Sequence, residues 1–148
     1  MPELFLLPNP EAATFYTTKT FNGENAGVDL FVPNDVFFAP GERKMVSMGV
    51  RAVMIDWKNT ANYWMLPRSS MSKTGLMMMN SVGVIDKSYR GELIAALWNT
   101  TTETVKVEKG QRLVQIVARD MDDIKSLTVV DKLPTSERGE GGFGSTGK

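Results

Sequence analysis

Short runs of apolar residues alternate with turn residues along most of the chain, and none of them keeps a long helical period. Residues 3–7 predict a first strand that Pro8 and Pro10 stop, and Pro40 with Gly41 marks a clear turn. Short strands at close spacing, with Gly- and Pro-rich turns, are typical of an all-β sandwich or barrel-like roll. Further strands are predicted at residues 26–33, 44–55 with a bend at Gly49, 63–66, 76–79, 104–107, 112–118 and 124–130.

The stretch 80–99 (NSVGVIDKSYRGELIAALWN) stands out because two apolar segments flank a polar centre. Segments 81–85 and 93–98 predict the two strands of a hairpin, with the polar centre as its turn. Asp86 follows the point where the first strand leaves the core, so we expect it to be partly desolvated, with Tyr89 close by. A carboxylate placed in this way can act as a general base. The alternative is an ordinary surface hairpin with a charged tip.

Three consecutive methionines, Met77 to Met79, follow a polar, turn-rich segment at residues 68–75 that has room for one helical turn. Methionine is an adaptable filler of apolar interiors. We therefore predict a buried strand at 76–79 whose methionines pack in the core rather than form a ligand surface.

The bulk composition suits a single domain with one core, since the chain has 148 residues of which 42% are hydrophobic. Lys and Arg number 17, as do Asp and Glu, so zero net charge gives no overall attraction to nucleic acid or to an anionic membrane. No apolar run reaches transmembrane length, and the start MPELFLLPNP lacks a basic leader. We expect a cytoplasmic protein, or one of the host cytoplasm or nucleus if its source is a virus, with no nucleic-acid or membrane partner.

The chain contains no Cys and no His. This excludes disulfides, thiolate metal sites, Ser-His-Asp triads and HExxH zinc sites. If the chain is an enzyme, its base is therefore expected to be a carboxylate. A metal would be a hard, oxygen-bound ion such as Mg²⁺, brought in on substrate phosphates.

From Pro134 onward the sequence PTSERGEGGFGSTGK has five Gly and one large apolar residue, Phe143. Such a segment cannot pack a core, which predicts a β domain at residues 1–133 and a mobile C-terminal arm at 134–148. Its last residues match G-x-x-x-x-G-K, but no Ser or Thr and no helix follow the Lys, so we reject a P-loop. A disordered tail is the plain alternative. Free backbone N–H groups, hydroxyls and one aromatic ring suit a lid over a phosphate chain and a flat ring.

Five sequence blocks, in order along nearly the whole chain, resemble the trimeric deoxyuridine triphosphate nucleotidohydrolases, the dUTPases. Each block alone is a weak signal, but the third and the fifth are long and specific, and all five occur together. The blocks are AGVDL (26–30), PRSSMSKTG (67–75), NSVGVIDKSYRGE (80–92), GQRLVQ (110–115) and RGEGGFGSTG (138–147).

This resemblance implies a β-clip fold, a jelly-roll-like distorted barrel, assembled as a homotrimer with active sites at the subunit interfaces. It implies an enzyme, a dUTP diphosphatase, that converts dUTP and water to dUMP and pyrophosphate. Mg²⁺ would be held by the substrate triphosphate, with no direct protein ligand. Such a reaction limits uracil incorporation into DNA and supplies dUMP for dTTP synthesis. One subunit would supply the 80–92 block, a neighbour the first, second and fourth blocks, and the third its arm.

Carried over residue by residue, the resemblance assigns Asp86 to activating the attacking water. Tyr89 would pack against the deoxyribose and exclude a 2′-hydroxyl, and Asn80 with the neighbouring backbone would pair with the uracil edge. A mismatched base would leave buried polar groups unpaired, at about 1–3 kcal/mol each. The backbone positions in question are Gly83, Val84 and Ile85.

The resemblance assigns the phosphates to the other blocks, through charge-assisted hydrogen bonds. Asp29 and Gln115 would belong to the network around the phosphates and the metal-bound waters. The phosphate ligands outside the arm would be Arg68, Ser69 and Gln115, and Ser70 would belong to the same substrate-binding site. In the arm, Arg138, Ser145 and Thr146 would bind the γ-phosphate end, Phe143 would cover the uracil, and Gly144 would line the same site.

Ser70 departs from the family pattern, which commonly has Gly at that place, and Arg-Ser-Ser also occurs in the dCTP deaminases of the same fold. Deamination is therefore the closest alternative. Those enzymes need a glutamate on the second strand of the hairpin, and Ala96 stands at the corresponding place, which favours the triphosphatase.

A dUTPase-like regulatory trimer that has lost turnover is the second alternative. The presence of Asp86, Tyr89 and Arg68 speaks against lost chemistry. Arg112 and Glu92 are as readily salt-bridge partners as ligands, so we leave both outside the predicted site.

Overall fold

The computed structural model describes residues 1–135 of the chain. This part contains fourteen strands and two short 3₁₀ helices but no α-helix, so the all-β prediction is confirmed. None of its helices has the length and apolar character needed to cross a membrane. The strands are β1 (Glu3–Pro8), β2 (Lys19–Thr20), β3 (Gly27–Asp29), β4 (Val36–Phe38), β5 (Arg43–Ser47), β6 (Val50–Asp56), β7 (Asn59–Ala61), β8 (Tyr63–Pro67), β9 (Leu76–Met78), β10 (Gly83–Ile85), β11 (Ile94–Asn99), β12 (Val105–Val107), β13 (Val114–Ala118) and β14 (Ser126–Val129), and the helices are η1 (Ala13–Phe15) and η2 (Ser69–Lys73).

These strands form four small sheets. The largest has the order β2-β14-β1-β6-β7, in which β1 pairs with β14 in parallel and with β6 antiparallel. The others are β10-β8-β13-β3, β5-β11-β9 and β12-β4. Most neighbours in the sheets are distant in sequence, so the chain crosses repeatedly from sheet to sheet, as in a jelly-roll-like barrel.

A single core joins the sheets. Along β1, Leu4 and Leu6 are fully buried while Phe5 and Leu7 are half-buried, which is the alternation of a strand with one face on the core. The other large side chains that are fully buried come from strands and loops throughout residues 1–135. They are Leu30, Phe38, Met48, Met54, Met65, Leu93, Leu97, Leu113, Ile116 and Leu127.

Gly49 divides the strand predicted at 44–55 into β5 and β6. Its φ of 72° lies in the left-handed region, which Gly adopts without the steric cost that a side chain would bring. Its carbonyl accepts a hydrogen bond from the backbone N of Asn9 at 2.8 Å. The predicted bend is thus confirmed, and it sends β5 to pair with β11 while β6 pairs with β1.

The hairpin predicted for 80–99 is wrong in its pairing. Strands β10 and β11 both form, but β10 pairs with β8 whereas β11 pairs with β5 and β9. The backbone N of Met79 donates to the carbonyl of Ala96 at 2.8 Å, so β11 runs beside the segment that precedes β10. Residues 86–93, which we call the Asp86 loop, connect the two strands.

The methionine prediction holds for one residue of three. Met78 is buried at 5% exposure, whereas Met77 is 56% and Met79 is 40% exposed. Successive residues of a strand point to opposite faces, so a sheet with one face on the core cannot bury all three. Met77 lies opposite Trp98 on the outer face of the β5-β11-β9 sheet.

Candidate active site

Asp86 is the first residue of the Asp86 loop and lies beside the start of β8. The backbone N of the next residue, Lys87, donates to Asn62 Oδ1 at 2.8 Å, just before β8 begins. The backbone N of Tyr89 donates to the carbonyl of Asp86 at 3.0 Å and closes a turn. Asp86 is exposed in the single chain. The partial desolvation that we expected for a carboxylate at the end of β10 is therefore not found within one chain.

Tyr89 has a fixed ring orientation. The ring packs against the core, and its hydroxyl donates to the carbonyl of Glu92 at 2.6 Å. A Cβ on Gly91 would lie 2.5 Å from the Tyr89 hydroxyl, so only Gly fits beneath the ring. The carboxylate of Glu92 accepts a hydrogen bond from Ser47 Oγ at 2.6 Å, which is a structural role. Tyr89 therefore presents a rigid ring close to Asp86 in the same turn.

A second group of polar side chains gathers near the other end of β8. Arg68 Nε lies 2.8 Å from Asp29 Oδ1, and Arg112 Nη1 lies 3.4 Å from Asp29 Oδ2. Gln115 is opposite Asp29 in the β13–β3 register, and Ser69 follows Arg68. We call these five residues the arginine cluster. Two guanidinium groups share one carboxylate, which leaves a positive charge on the cluster.

Ser70 orients Arg68. Nη1 of Arg68 donates to Ser70 Oγ at 3.2 Å and to the carbonyl of Arg112 at 3.3 Å. A Gly at residue 70 would offer no hydroxyl acceptor. The serine that departs from the family pattern therefore holds the guanidinium in place.

The arginine cluster lines a polar cavity of about 340 Å³, together with Asn25 and Gly27. The Gln115 side chain donates to the carbonyl of Pro67 at 3.3 Å, which fixes it against β8. Guanidinium, hydroxyl and amide groups around one cavity suit an anion with several oxygens, such as a phosphate chain.

An aromatic cavity of about 270 Å³ adjoins the polar one and shares Asp29 and Arg112 with it. Phe15 stacks on Phe31 with ring centroids 5.4 Å apart, and the Arg112 guanidinium lies 5.9 Å from the Phe31 centroid. The backbone N of Phe31 donates to the Tyr16 hydroxyl at 2.8 Å. Burial raises the pKa of Tyr16 to about 12; the Phe31 hydrogen bond works against this shift, and the Asp29 charge adds to it.

Tyr63, on β8, is a second buried phenol. Its hydroxyl has no hydrogen-bond partner among residues 1–135. Burial raises the pKa of Tyr63, while the Arg90 charge opposes the shift and Tyr89 adds to it. The two phenols differ, because the Tyr16 hydroxyl accepts a hydrogen bond from a backbone N–H whereas the Tyr63 hydroxyl accepts none within residues 1–135.

We expect Tyr16→Phe to lower the free energy of unfolding by about 1–3 kcal/mol, because the N–H of Phe31 loses its acceptor. Tyr63→Phe is the matched control and should be neutral or stabilising by up to about 1 kcal/mol, because it removes an unpaired buried hydroxyl. Denaturant unfolding followed by circular dichroism measures both. Equal losses in the two variants would contradict the assignment.

The Tyr16→Phe variant also tests the alkaline limit of stability. An unfolded tyrosine loses its proton near pH 10, whereas folded Tyr16 keeps its proton to about pH 12. The stabilisation from this protonated phenol is therefore complete below pH 10 and is lost as the pH rises to 12. Tyr16→Phe should flatten that part of the stability profile.

The Asp86 loop and the arginine cluster lie at opposite ends of β8. Asn62, which holds the loop, precedes the strand, and Arg68 follows it. A strand rises about 3.3 Å per residue, so roughly 15–20 Å of backbone separates the two groups. A general base must lie within hydrogen-bond reach of the proton it takes. The two groups of one chain therefore do not converge on one phosphorus.

The structure thus places the predicted site residues in two separate groups, apart from those of the arm. Asp29, Arg68, Ser69 and Gln115 surround one cavity, with Ser70 beside it. Asn80, Gly83, Val84 and Ile85 lead into Asp86, and Tyr89 follows it. The predicted arm residues lie outside the described part of the chain: Arg138, Phe143, Gly144, Ser145 and Thr146. The roles of all these residues stay predictions.

Arg112 is the residue that sequence reasoning left out. It contacts Asp29 and lines both cavities. Its place in the GQRLVQ block, three residues before Gln115, was the available signal, but the block alone does not distinguish a ligand from a salt-bridge partner.

Comparison with known proteins assigns the family. A model of the dUTPase family matches residues 15–147. The deoxyuridine 5′-triphosphate nucleotidohydrolase of Psychromonas ingrahamii is 36% identical over 144 residues, covering 95% of this chain and 88% of that protein. The chain belongs to the dUTPase family. The corresponding protein of Tolumonas auensis is 39% identical to this dUTPase over 127 residues, covering 84% and 82% of the two chains.

Solved structures agree with this assignment. The crystal structure of dUTPase from Streptococcus mutans matches with a TM-score of 0.61 at 30% identity, covering 78% of this chain and 92% of that one. The dUTPase of Staphylococcus bacteriophage 80alpha with dUPNHPP matches 98% of both chains with a TM-score of 0.63, and its 23% identity shows the fold alone. The predictions of the dUTPase family, a jelly-roll-like β fold, an enzyme and dUTP hydrolysis are confirmed.

Proposed function

We propose that this dUTPase uses Asp86 as the general base, in a site that the arginine cluster of a neighbouring subunit completes. One observation carries the proposal. An accessible carboxylate and a cationic cavity suited to a phosphate chain are both present, but they lie at opposite ends of β8. A second copy can bring its cluster to the Asp86 of the first.

In the proposed step, water attacks the α-phosphorus while Asp86 accepts one of the water protons. A P–O bond to the water oxygen forms, the bond from the α-phosphorus to the bridging oxygen breaks, and pyrophosphate leaves with that electron pair. The turn between Asp86 and Tyr89 and the bond to Asn62 fix the backbone of the base. With no His and no Cys in the chain, no imidazole or thiolate competes for the role.

Arg68 and Arg112 are proposed to bind the triphosphate. Each has N–H groups beyond the one directed at Asp29, and these can donate to phosphate oxygens. Both carboxylate oxygens of Asp29 face arginines. Asp29 is therefore better suited to the network around the metal-bound waters than to direct ligation of the metal. This donor set fits a Mg²⁺ ion that arrives on the triphosphate. When bound there, Mg²⁺ would neutralise phosphate charge.

Uracil recognition is proposed for Asn80 and the backbone of β10. Within the described sheets β10 is an edge strand that pairs only with β8. An edge strand presents unpaired N–H and C=O groups, which can pair with the edge of a base. Val84, in the middle of β10, is exposed, so this edge is accessible from outside the chain.

Tyr89→Ala is expected to admit UTP, because the rigid ring no longer occupies the place of a 2′-hydroxyl. UTP turnover should rise at least about tenfold relative to dUTP turnover. Tyr89→Phe is the matched control: it keeps the ring and removes the hydroxyl that donates to the Glu92 carbonyl, so it should still reject UTP. Pyrophosphate release from each nucleotide measures the ratio. Unchanged rejection by Tyr89→Ala would mean that another group guards the sugar.

The proposed assembly is a homotrimer, with a second copy on the outer face of the β5-β11-β9 sheet. Met45 and Met77 are more than half exposed there and flank Ala96 and Trp98. The opposite face of this sheet lies on the core, so both faces are apolar. An exposed apolar face on a chain whose proposed site needs two copies favours self-association over another partner.

Light scattering on the purified chain tests the assembly, and a pyrophosphate assay with dUTP tests the reaction. We expect a trimer that releases pyrophosphate from dUTP and no ammonia from dCTP. A monomer with full activity would overturn the shared site. Ammonia release would restore the deaminase alternative, which no finding favours. In a cell, the activity is proposed to serve in the cytoplasm, where it would limit uracil in DNA and supply dUMP.

A further inference from the structure

Asn62 is the single residue between β7 and β8, and it therefore stands where the chain passes from one sheet to another. On one side Ala61 pairs with Met54 of β6, and on the other side Tyr63 pairs with Ala118 of β13. Ala61 and Tyr63 are buried, whereas Asn62 is exposed. The backbone of Asn62 is thus held by two sheets, and its short side chain starts from a fixed point.

The pairing of β10 with β8 stops one residue before Asp86, since its last pair joins Ile85 to Tyr63. One further step in this register would place Asp86 opposite Asn62. Instead, Asn62 Oδ1 accepts a hydrogen bond from the backbone N of Lys87 at 2.8 Å, and the chain turns. Asparagine side chains compete with the backbone for such hydrogen bonds. The Asn62 side chain therefore takes over from the strand ladder beside Asp86.

The Asp86 loop is shaped from within and tied to the fold at both ends. Arg90 Nη1 donates to the carbonyls of Lys87 at 2.7 Å and Tyr89 at 3.1 Å. Both acceptors belong to the same loop, so these bonds move with it. Arg51, on β6, ties the far end of the loop through the Arg90 carbonyl at 3.1 Å. Asn62 ties the near end, at the residue that follows the base.

We propose that Asn62 is a positioning residue for the base: it fixes the peptide after Asp86, and so the direction in which the carboxylate meets the attacking water. The inference rests on the proposed function, and it assigns Asn62 no contact with substrate. A base must lie within hydrogen-bond reach of its proton, and a displacement of about 1 Å can cost up to roughly 10²-fold in rate. Asn62 lies outside the five sequence blocks, so the resemblance gives it no role.

The test compares the wild-type chain with Asn62→Ala, Asn62→Asp and a control, Asn59→Ala. Alanine removes the acceptor, whereas aspartate keeps an oxygen at the place of Oδ1. Asn59 is an exposed residue of β7 and lies outside the proposed site. Steady-state pyrophosphate release from dUTP gives kcat and KM. Amide hydrogen exchange at Lys87, followed by NMR, reports the hydrogen bond itself.

We expect Asn62→Ala to lower kcat about tenfold while KM for dUTP changes less than about threefold, because the proposed nucleotide ligands stay in place. Exchange at Lys87 should become at least about tenfold faster, since its N–H loses its acceptor. Asn62→Asp and Asn59→Ala should keep slow exchange and a kcat within about threefold of wild type. Water can replace an exposed acceptor, so the melting temperature of Asn62→Ala should fall by no more than about 3 °C.

Adding Asn62→Ala to Asp86→Asn separates positioning of the base from general damage to the site. If Asn62 acts by placing the carboxylate, the residual turnover of Asp86→Asn should fall less than about twofold further. A further fall of about tenfold would overturn the proposal, because the two effects would then be independent.

Wild-type kcat in Asn62→Ala would also overturn the proposal, and so would a tenfold loss in Asn59→Ala. A low kcat in Asn62→Asp with slow exchange at Lys87 would do the same, because the amide would then act in another way. Failure of Asn62→Ala to fold would show a structural role instead. If the wild type releases no pyrophosphate, the proposed function fails by itself, and exchange at Lys87 still decides whether Asn62 fixes the loop.

Discussion

Asp86→Asn is expected to lower kcat for dUTP by roughly 10²–10⁴-fold, the range that positioned proton transfer contributes. The amide keeps the size of the carboxylate but cannot accept the proton of the attacking water. The carbonyl of Asp86 accepts a hydrogen bond from the backbone N of Tyr89, and Asn62 accepts one from the backbone N of Lys87. Neither bond involves the carboxylate of Asp86, so both should persist in the variant. Single-turnover hydrolysis measures the chemical step, and calorimetry with α,β-imido-dUTP measures binding.

Asp35→Asn is a matched control, since Asp35 is exposed and lies in the loop before β4, outside the proposed site. It should retain turnover, and both variants should melt near the wild-type temperature. A kcat for Asp86→Asn within about threefold of wild type would remove Asp86 from the role of base. An equal loss of turnover in both variants would indicate an effect of removing any negative charge rather than the loss of one proton acceptor.

The sequence predicted the elements of the fold better than their partners. Local alternation and turn residues located β1, β8 and β13, and the glycine at 49 located the bend between β5 and β6. The pairing of β10 with β8 and of β11 with β9 depends on contacts across the whole chain, which turn residues do not encode. Strands β2, β4 and β7, which have two or three residues each, were not predicted.

For the site, sequence blocks indicated which residues matter, but not how they are divided in space. Asp29, Arg68 and Gln115 come from distant blocks and meet around one cavity, as the family resemblance led us to expect. The sequence did not show whether Arg112 is a ligand or a structural salt-bridge partner. It also did not show that Ser70 accepts a hydrogen bond from Arg68, because that contact depends on the folded structure. The exposure of Met77 follows from its strand face, which composition does not reveal.

Removal of residues 136–148 is expected to lower kcat/KM for dUTP by roughly 10²–10³-fold with little loss of stability. The arm is proposed to supply the phosphate ligand Arg138 and the stacking ring Phe143, and each such contact is worth about 1–3 kcal/mol. The fully buried core side chains named for this fold all precede residue 130, so the melting temperature should change by only a few degrees, about 2–4 °C at most. Ending the chain at Thr135 keeps the Pro134 carbonyl that Arg90 holds.

Mixing the truncated chain with full-length Asp86→Asn separates an arm that serves a neighbouring site from one that serves its own. Each chain alone should be nearly inactive, one for lack of the arm and the other for lack of the base. If a different subunit lends the arm, co-refolding at equal amounts gives roughly a quarter of the sites both an intact Asp86 and an arm, because the two come from independently drawn subunits of a closed trimer. Activity should then return to about that fraction of the wild-type value. An arm confined to its own subunit would never join an intact Asp86 in these mixtures, so absence of complementation in trimers shown to be mixed would overturn the shared site.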